Sequence, residues 1–241
     1  MLVEPFAGGA GISLVAVSES LVKEAAFAEL DSNVAATWNC MLNGHATWLA
    51  KRIRSFRFSR KRVEKQLQRK PGSQHERAFQ CLLKNRTARG GVIAEGAGLI
   101  RKGDGNGLRS RWYPDTLAQR IEKISALKTN LDFRRVDGFE LIRQYRRRKR
   151  AVFFVDPPYT KAARRLYRHW NIDHEKLFKD LQNVAGDVLM TYDDTSEVRR
   201  WAKKYGFRVK PISMKTTHHA MKRELMIAKN FDWLIAQATK K

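Results

Sequence analysis

The chain is poor in cysteine, in acidic residues and in long apolar runs. Cys40 and Cys81 are the only cysteines among 241 residues, and we expect them to be free thiols in a reducing compartment. No run of 18 or more apolar residues occurs, which argues against a membrane-spanning helix. The first residues, MLVEPFAGGAG, lack the basic and apolar segments of a secretory signal peptide. Histidine and cysteine do not cluster at metal-ligand spacing, so no metal site is expected.

Basic residues outnumber acidic ones two to one. The 48 Lys and Arg against 24 Asp and Glu give a net charge of +24, and such a field attracts polyanions over long range. Nucleic acid is the favoured partner, and an anionic membrane surface is the alternative. Residues 51–111 contain 18 basic and 4 acidic residues, a net of +14. A quarter of the chain therefore carries more than half of the surplus.

Apolar segments of strand length alternate with segments of helix length at both ends of the chain. Strands are predicted at 2–7, 25–30, 132–137, 151–156, 187–194, 207–213 and 224–230, and helices from the first glycine turn to about 21 and at 33–43, 115–127, 174–184 and 196–205. This alternation predicts an α/β fold with a mostly parallel sheet and helices on both of its faces.

The stretch at 48–113 interrupts that alternation. It contains two basic segments of helical character, one near 61–70 and one at 76–85. A glycine-rich, loop-like segment follows at 89–112, and we expect it to be mobile when no partner is bound. We therefore predict a domain formed by 1–47 and 114–241, with an inserted subdomain at 48–113.

Ligands of open α/β sheets bind beyond the carboxyl ends of the strands, so the residues that end each predicted strand are candidate site residues. The first strand ends in EPFAGGAG, where glycines allow a tight turn and close approach of the backbone to a ligand. It lacks the G-x-G-x-x-G and G-K-[ST] patterns, so a nucleoside triphosphate site is not expected. The second strand ends in AELD, where Glu29 suits a ribose hydroxyl pair. Asp31 competes for that role or caps the next helix.

Two further strand ends carry acids. The third strand ends in RVDGF, where Asp137 suits an adenine amino group and Phe139 suits its ring, while an ordinary Asp-Gly turn is the competing interpretation. The fourth ends in DPPY. Proline has no N–H group, so Asp156 and the two prolines after it offer only acceptors, held by fixed φ angles. Such a corner suits an exocyclic amino group that donates two hydrogen bonds, and Tyr159 adds a flat face for stacking.

The chain resembles, through VEPFAGGAG followed by DPPY, the class I S-adenosylmethionine-dependent methyltransferases that modify amino nitrogens of bases. The order and spacing are most similar to the D12 class of DNA adenine-N6 methyltransferases, to which the Dam enzymes belong. The segments AELDSNVAATWN, KNRTARGG, RWYP, MTYDD and RELMIAKN extend the resemblance over most of the chain. It implies S-adenosylmethionine as cofactor, double-stranded DNA as partner, and an adenine that is flipped out of the duplex.

Carried over residue by residue, the resemblance implies distinct groups of site residues. The catalytic group is Asp156, Pro157, Pro158 and Tyr159. The cofactor group is Glu4, Pro5, Phe6, Ala7, Gly8, Gly9, Gly11, Glu29, Asp31, Asp137, Gly138 and Phe139. Candidate DNA contacts, in the stretch where the family places its recognition insertion, are Arg86, Arg89, Arg101, Lys102, Arg109 and Arg111. The family is not usually this basic, so we expect an affinity based on phosphate contacts and a low sequence specificity.

Other functions of the same fold stay open. RNA methyltransferases also use DPPY-like motifs, and a cytosine N4 amine fits the same acceptors. An inactive nucleic-acid-binding protein of the same fold would also have a high positive charge. The insertion favours duplex DNA, and the intact DPPY and Glu29 favour an active enzyme. The cytoplasm of a bacterial cell or of a phage-infected host is the expected location.

Overall fold

The computed structural model describes residues 1–94, 96–101, 107–158, 172–215 and 221–232. Among them, 1–28, 136–158 and 172–232 form one compact unit, and 29–135 form a second. The predicted division into a catalytic domain and a DNA-recognition insertion at 48–113 concerns the roles of these segments, and it stays a prediction.

The strands lie close to their predicted positions. They are β1 (Leu2–Glu4), β2 (Ala25–Ala28), β3 (Leu131–Arg134), β4 (Val152–Val155), β5 (Asp187–Asp193), β6 (Arg208–Lys215) and β7 (Met221–Ala228). Within the described residues they form one seven-stranded sheet in the order β3-β2-β1-β4-β5-β7-β6. β1 pairs in parallel with β2 and β4, and β4 with β5, whereas β7 runs antiparallel to β5 and β6. The predicted mostly parallel α/β sheet is confirmed.

The α-helices in the described part of the chain are α1 (Gly11–Ser18), α2 (Ser32–Leu42), α3 (Ala46–Ser55), α4 (Arg60–Gln68), α5 (Gln74–Thr87), α6 (Pro114–Ala126), α7 (Gly138–Tyr145), α8 (His174–Gln182) and α9 (Ser196–Lys204). Several begin at side-chain caps. Ser73 accepts a hydrogen bond from the backbone N–H of Glu76, and Thr195 accepts one from Val198. Such caps satisfy N–H groups that the helix leaves unpaired. None of the described helices has the length and apolarity needed to cross a bilayer.

Some boundaries differ from the sequence-based expectation. β1 ends at Glu4 instead of residue 7, because Pro5 has no N–H group for the ladder. β2 ends at Ala28, so Glu29 lies one residue beyond the strand that it was expected to end. α1 ends at Ser18, before the expected residue 21. α3 was not predicted as a helix of its own.

The core of the first unit lies where β4, β5 and β7 pack against α8 and α9. Phe153, Met190 and Ile227 are fully buried, as strands covered on both faces require. Burying each such side chain contributes about 1.5–3 kcal/mol. The Tyr192 ring is also fully buried, and its hydroxyl lies 3.0 Å from Nδ1 of His174. This polar pair therefore satisfies the tyrosine hydroxyl inside the core.

The second unit packs α2 to α6 around an apolar centre that includes Leu49, Ile53 and Phe79. The two cysteines lie in this unit, are buried and form no disulfide, which confirms the prediction of free thiols. Burial raises the pKa of each thiol to about 11. Few thiolates are therefore present at neutral pH, and neither cysteine has the character of a nucleophile.

Candidate active site

The turn between β1 and α1 is built for a close approach to its backbone. Gly8 and Ala10 adopt left-handed conformations with φ of 51° and 46°, and the N–H of Ala10 donates to the carbonyl of Ala7 at 2.7 Å. Gly9 and Gly11 are exposed, and a Cβ atom at either would meet no atom within 4 Å. The turn therefore presents bare backbone to open space, as a binding turn does.

Glu4 fastens this turn to α1. Its buried carboxylate accepts hydrogen bonds from the backbone N–H of Ser13 at 2.9 Å and from the Ser13 hydroxyl at 2.5 Å. Burial raises the pKa of Glu4, and the nearby negative charge of Asp156 adds to that rise, while the Ser13 bonds oppose it. The carboxylate thus holds the turn in shape. Direct contact of Glu4 with a cofactor stays a prediction.

The RVDGF segment packs against the other side of the same turn. Gly138, at the start of α7, lies so close that an added Cβ would be 2.6 Å from the Phe6 ring and 2.8 Å from the Pro5 carbonyl oxygen. The Phe139 ring meets Phe6 edge to face at 6.3 Å. Asp137 is exposed, and its carboxylate caps α7 by accepting from the N–H of Phe139 at 2.7 Å. Gly138 therefore allows close packing of α7 on the turn. Asp137 caps α7, and its contact with the cofactor's adenine stays a prediction.

The acceptor corner begins directly after β4. Asp156 is exposed and Pro157 is buried. The hydroxyl of Thr191 donates to Oδ1 of Asp156 at 2.7 Å. This contact follows from the sheet register, since Val155 of β4 pairs with Met190 of β5 and the next residue of each strand is then adjacent. Sequence reasoning missed Thr191, although both strands change from apolar to polar at this point. Tyr159 lies outside the described residues.

The glycine turn and the acceptor corner meet at one edge of the sheet. β1 and β4 are neighbouring parallel strands, so their carboxyl ends share that edge. The register pairs Val3 with Phe153, so the residues that follow Glu4 on one strand and Val155 on the other lie side by side. This agrees with the small contribution of the Asp156 charge to the raised pKa of Glu4. The first unit thus brings together the two motifs on which the sequence-based expectation depends.

Glu29 and Asp31 belong to the second unit and make local contacts. The Glu29 carboxylate accepts from the N–H of Asp31 at 2.7 Å, and the backbone N–H of Glu29 donates to the carbonyl of Arg134. The Asp31 carboxylate accepts from the N–H groups of Asn33 and Val34. Asp31 is therefore the cap of α2, which is the competing interpretation given above. The ribose role of Glu29 stays a prediction.

The predicted DNA contacts have different surroundings. Arg86 is half-buried, burial and the neighbouring charges of Arg111 and Arg120 lower its pKa, and its Nε has no hydrogen-bond partner in the described part of the chain. Arg111 donates to the carbonyl oxygens of Asn85, at 2.9 Å, and of Ala88, so it joins the end of α5 to the glycine-rich segment.

The other basic candidates lie nearer the surface. Arg89 and Arg101 are exposed. The Arg109 guanidinium lies 5.8 Å from the ring of Phe58. Lys102 lies outside the described residues. Arg86, Arg111 and Arg120 bring like charges together, a cost that a bound anion would relieve.

The comparisons with known proteins identify the family. The model of the D12 class of N6 adenine-specific DNA methyltransferases matches residues 1–218. The chain belongs to this family. It is therefore a methyltransferase that uses S-adenosylmethionine to methylate the N6 amino group of adenine in DNA. No curated protein matches the chain.

Solved structures also match this methyltransferase. The crystal structure titled as that of a "putative RNA methyltransferase PH1948" from Pyrococcus horikoshii is similar over 94% of this chain and 72% of that chain. The sequence identity is 11% and the TM-score is 0.39.

The first unit of the methyltransferase fits the cofactor that the family uses. The bare backbone at Gly9 and Gly11 leaves room for a bulky ligand at the turn, and Asp137 and Phe139 supply an exposed carboxylate and a half-buried ring beside it. In the described ranges, no group of three His, Cys, Asp or Glu side chains is arranged to hold a metal ion.

Proposed function

We propose that this methyltransferase acts on adenines of double-stranded DNA, which it flips out of the duplex, and that it has low sequence specificity. We assign catalysis to Asp156, Pro157, Pro158 and Tyr159. The observation that carries the proposal is the meeting of the glycine turn and the Asp156 corner at the ends of β1 and β4. A methyl donor at the turn and an amino group at the corner would be neighbours there.

Base flipping is required because a paired adenine cannot reach a site at the edge of a sheet. Unstacking and unpairing one base costs a few kcal/mol. The surplus of basic residues in 51–111 supplies phosphate contacts that would offset this cost. Such contacts are the same at every sequence, which is why we propose low specificity.

The acceptor corner would orient the amino group. The two N6 hydrogens donate to the Asp156 carboxylate and to the Pro157 carbonyl, and no proline N–H group competes for these acceptors. These bonds draw the nitrogen lone pair out of conjugation with the ring and aim it at the methyl donor. Thr191 keeps the carboxylate in place through its 2.7 Å hydrogen bond. Tyr159, assigned from the sequence alone, would stack on the base.

The cofactor would be held by residues of the glycine turn, with Asp137 and Phe139 at its adenine and Glu29 at its ribose. When bound, S-adenosylmethionine supplies an electrophilic methyl group. No covalent bond to the protein is needed, which agrees with the buried, protonated state of the two cysteines. With DNA as substrate, the cytoplasm of a bacterium or of a phage-infected host is the location that we propose.

The test is transfer of a labelled methyl group to unmethylated duplex DNA, followed by nucleoside analysis. We expect N6-methyladenine from the wild type, and a loss of at least about a hundredfold in turnover for Asp156→Ala, since a charge-bearing acceptor is removed. DNA binding should survive in that variant. Asp115→Ala, the same change at a side chain that is 82% exposed, should keep turnover.

Three results would contradict the proposal. Methyl transfer retained by Asp156→Ala would remove the acceptor corner from the mechanism. N4-methylcytosine as the product would change the target base. Faster methylation of duplex RNA than of duplex DNA in a direct competition would change the substrate.

A further inference from the structure

A cleft lined by basic side chains lies between α3 and α4, inside the second unit. Its volume is about 330 Å³, and five of its eight lining residues are basic while none is acidic. The basic residues are Arg52, Arg57, Arg62, Lys65 and Arg69. None of them is among the DNA contacts expected from the sequence.

The walls of the cleft are fixed by contacts with α5. The Arg52 guanidinium lies 4.5 Å from the centre of the Phe79 ring, a cation–π contact that holds it in place. The side-chain amide of Gln80 donates to the carbonyl oxygens of Gln66 at 2.7 Å and Arg69 at 2.8 Å. The end of α4 is thereby tied to α5, so the cleft requires little rearrangement to receive a ligand.

The positive charge of the cleft is largely unneutralised. Arg57 and Lys65 have no acidic partner within the ranges that the structure covers, and both are exposed. The Arg62 guanidinium donates to an uncharged acceptor, the backbone carbonyl of Arg57, at 3.4 Å. The carboxylate of Glu76 lies 3.6 Å from Arg69, whose side chain is 65% exposed, so this ion pair contributes little.

The cations follow a line. Arg62 and Lys65 are three residues apart on one face of α4, and Arg69 is the C-cap residue directly after its end, so the three extend over about 10 Å. A single small anion would meet one or two of them. A polymer with regularly spaced phosphates would meet them in succession.

We propose that this cleft binds the phosphodiester backbone of a DNA strand, through residues other than those of the acceptor corner and other than the six expected DNA contacts. The inference rests on duplex DNA as the substrate, and it adds an anchoring site that carries no sequence information. Its residues touch no reacting atom, so they contribute to DNA affinity and not to the chemical step.

The experiment compares DNA binding of two double variants over a series of salt concentrations, without cofactor. Arg57→Gln with Lys65→Gln should lower the slope of log K against log salt by about 2, one for each lost phosphate contact, on every duplex sequence. The matched control, Lys123→Gln with Lys128→Gln, removes the same charge at exposed positions of the same unit and should change the slope much less. With methyl transfer as readout, the cleft variant should raise KM for DNA and leave kcat unchanged.

Binding and transfer distinguish the two proposals. A wild type that binds DNA but does not methylate it would contradict the proposed function. The salt-dependence slopes of DNA binding would still test whether the cleft binds DNA. An equal change of slope in the control would assign the effect to the net positive charge of the protein, and it would overturn the proposal that the cleft binds DNA. Inorganic phosphate that binds the wild type and not the cleft variant, yet leaves DNA binding unchanged at matched ionic strength, would overturn the assignment to a DNA strand. So would a slope change seen on duplex RNA alone.

Discussion

Thr191 is the side chain that the structure adds to the proposed catalytic corner. Its hydroxyl donates to Asp156 at 2.7 Å from the neighbouring strand, where the sheet register sets the distance. Asp156 is exposed, and this bond restricts the positions that its carboxylate can adopt. Thr191 touches no reacting atom in the proposed mechanism, and it is therefore a positioning residue.

Replacing Thr191 by valine keeps the shape of the side chain and removes the hydroxyl. A hydrogen bond to a charged group contributes about 1.5–3 kcal/mol, so we expect Thr191→Val to lower kcat by roughly ten- to a hundredfold. KM for DNA and the unfolding temperature should change little, because the fold and the phosphate contacts remain. Steady-state kinetics on duplex DNA measure both constants.

Thr191→Ser is the matched control for that prediction, since it restores the hydroxyl. Its kcat should lie close to that of the wild type. A valine variant with wild-type kcat, or a serine variant as slow as valine, would show that the hydrogen bond does not position Asp156.

Among the contacts between helices and strands, the close approach of α7 to the glycine turn has the most direct consequence for stability. A Cβ atom at Gly138 would be 2.8 Å from the Pro5 carbonyl oxygen, and this backbone atom cannot move without displacing the turn. We expect Gly138→Ala to lower the free energy of unfolding by about 1–3 kcal/mol, the usual cost of overpacking. Denaturant unfolding measures it.

Gly9→Ala provides the comparison, because a Cβ atom there meets nothing within 4 Å. Its stability should remain within about 0.5 kcal/mol of the wild type. If the turn holds the cofactor, this variant should nevertheless bind S-adenosylmethionine more weakly, as titration calorimetry would show. Equal stability of the two alanine variants would contradict the packing argument.

The same elements show what the sequence could predict. Alternating apolar and amphipathic segments predicted the strands and the parallel sheet, because burial on both faces leaves a clear pattern. α3 was missed because its N-cap residue, His45, makes no side-chain capping bond that would mark its start. The hydrogen bond between Thr191 and Asp156 joins residues 35 positions apart. The register of β4 on β5 brings the two side chains together. The contact cannot be inferred from the sequence unless that register is known.

Across the entire chain, charge is the property most relevant to substrate choice. The net charge of +24 is concentrated in 51–111, where the surplus is +14. A field of this size accelerates encounter with DNA and supplies affinity at any sequence. Contacts to base edges, which alone read sequence directly, would then account for a small share of the binding free energy.

We therefore expect methylation of random-sequence DNA to occur at adenines in many sequence contexts with similar rates. Mapping N6-methyladenine by sequencing after limited reaction measures this distribution. Raising the salt concentration should slow methylation at all contexts together, because it weakens phosphate contacts that every site shares. One short motif common to all methylated adenines, with rates at other adenines falling selectively as salt rises, would show instead that base contacts dominate and that the charge serves only to bring the protein to DNA.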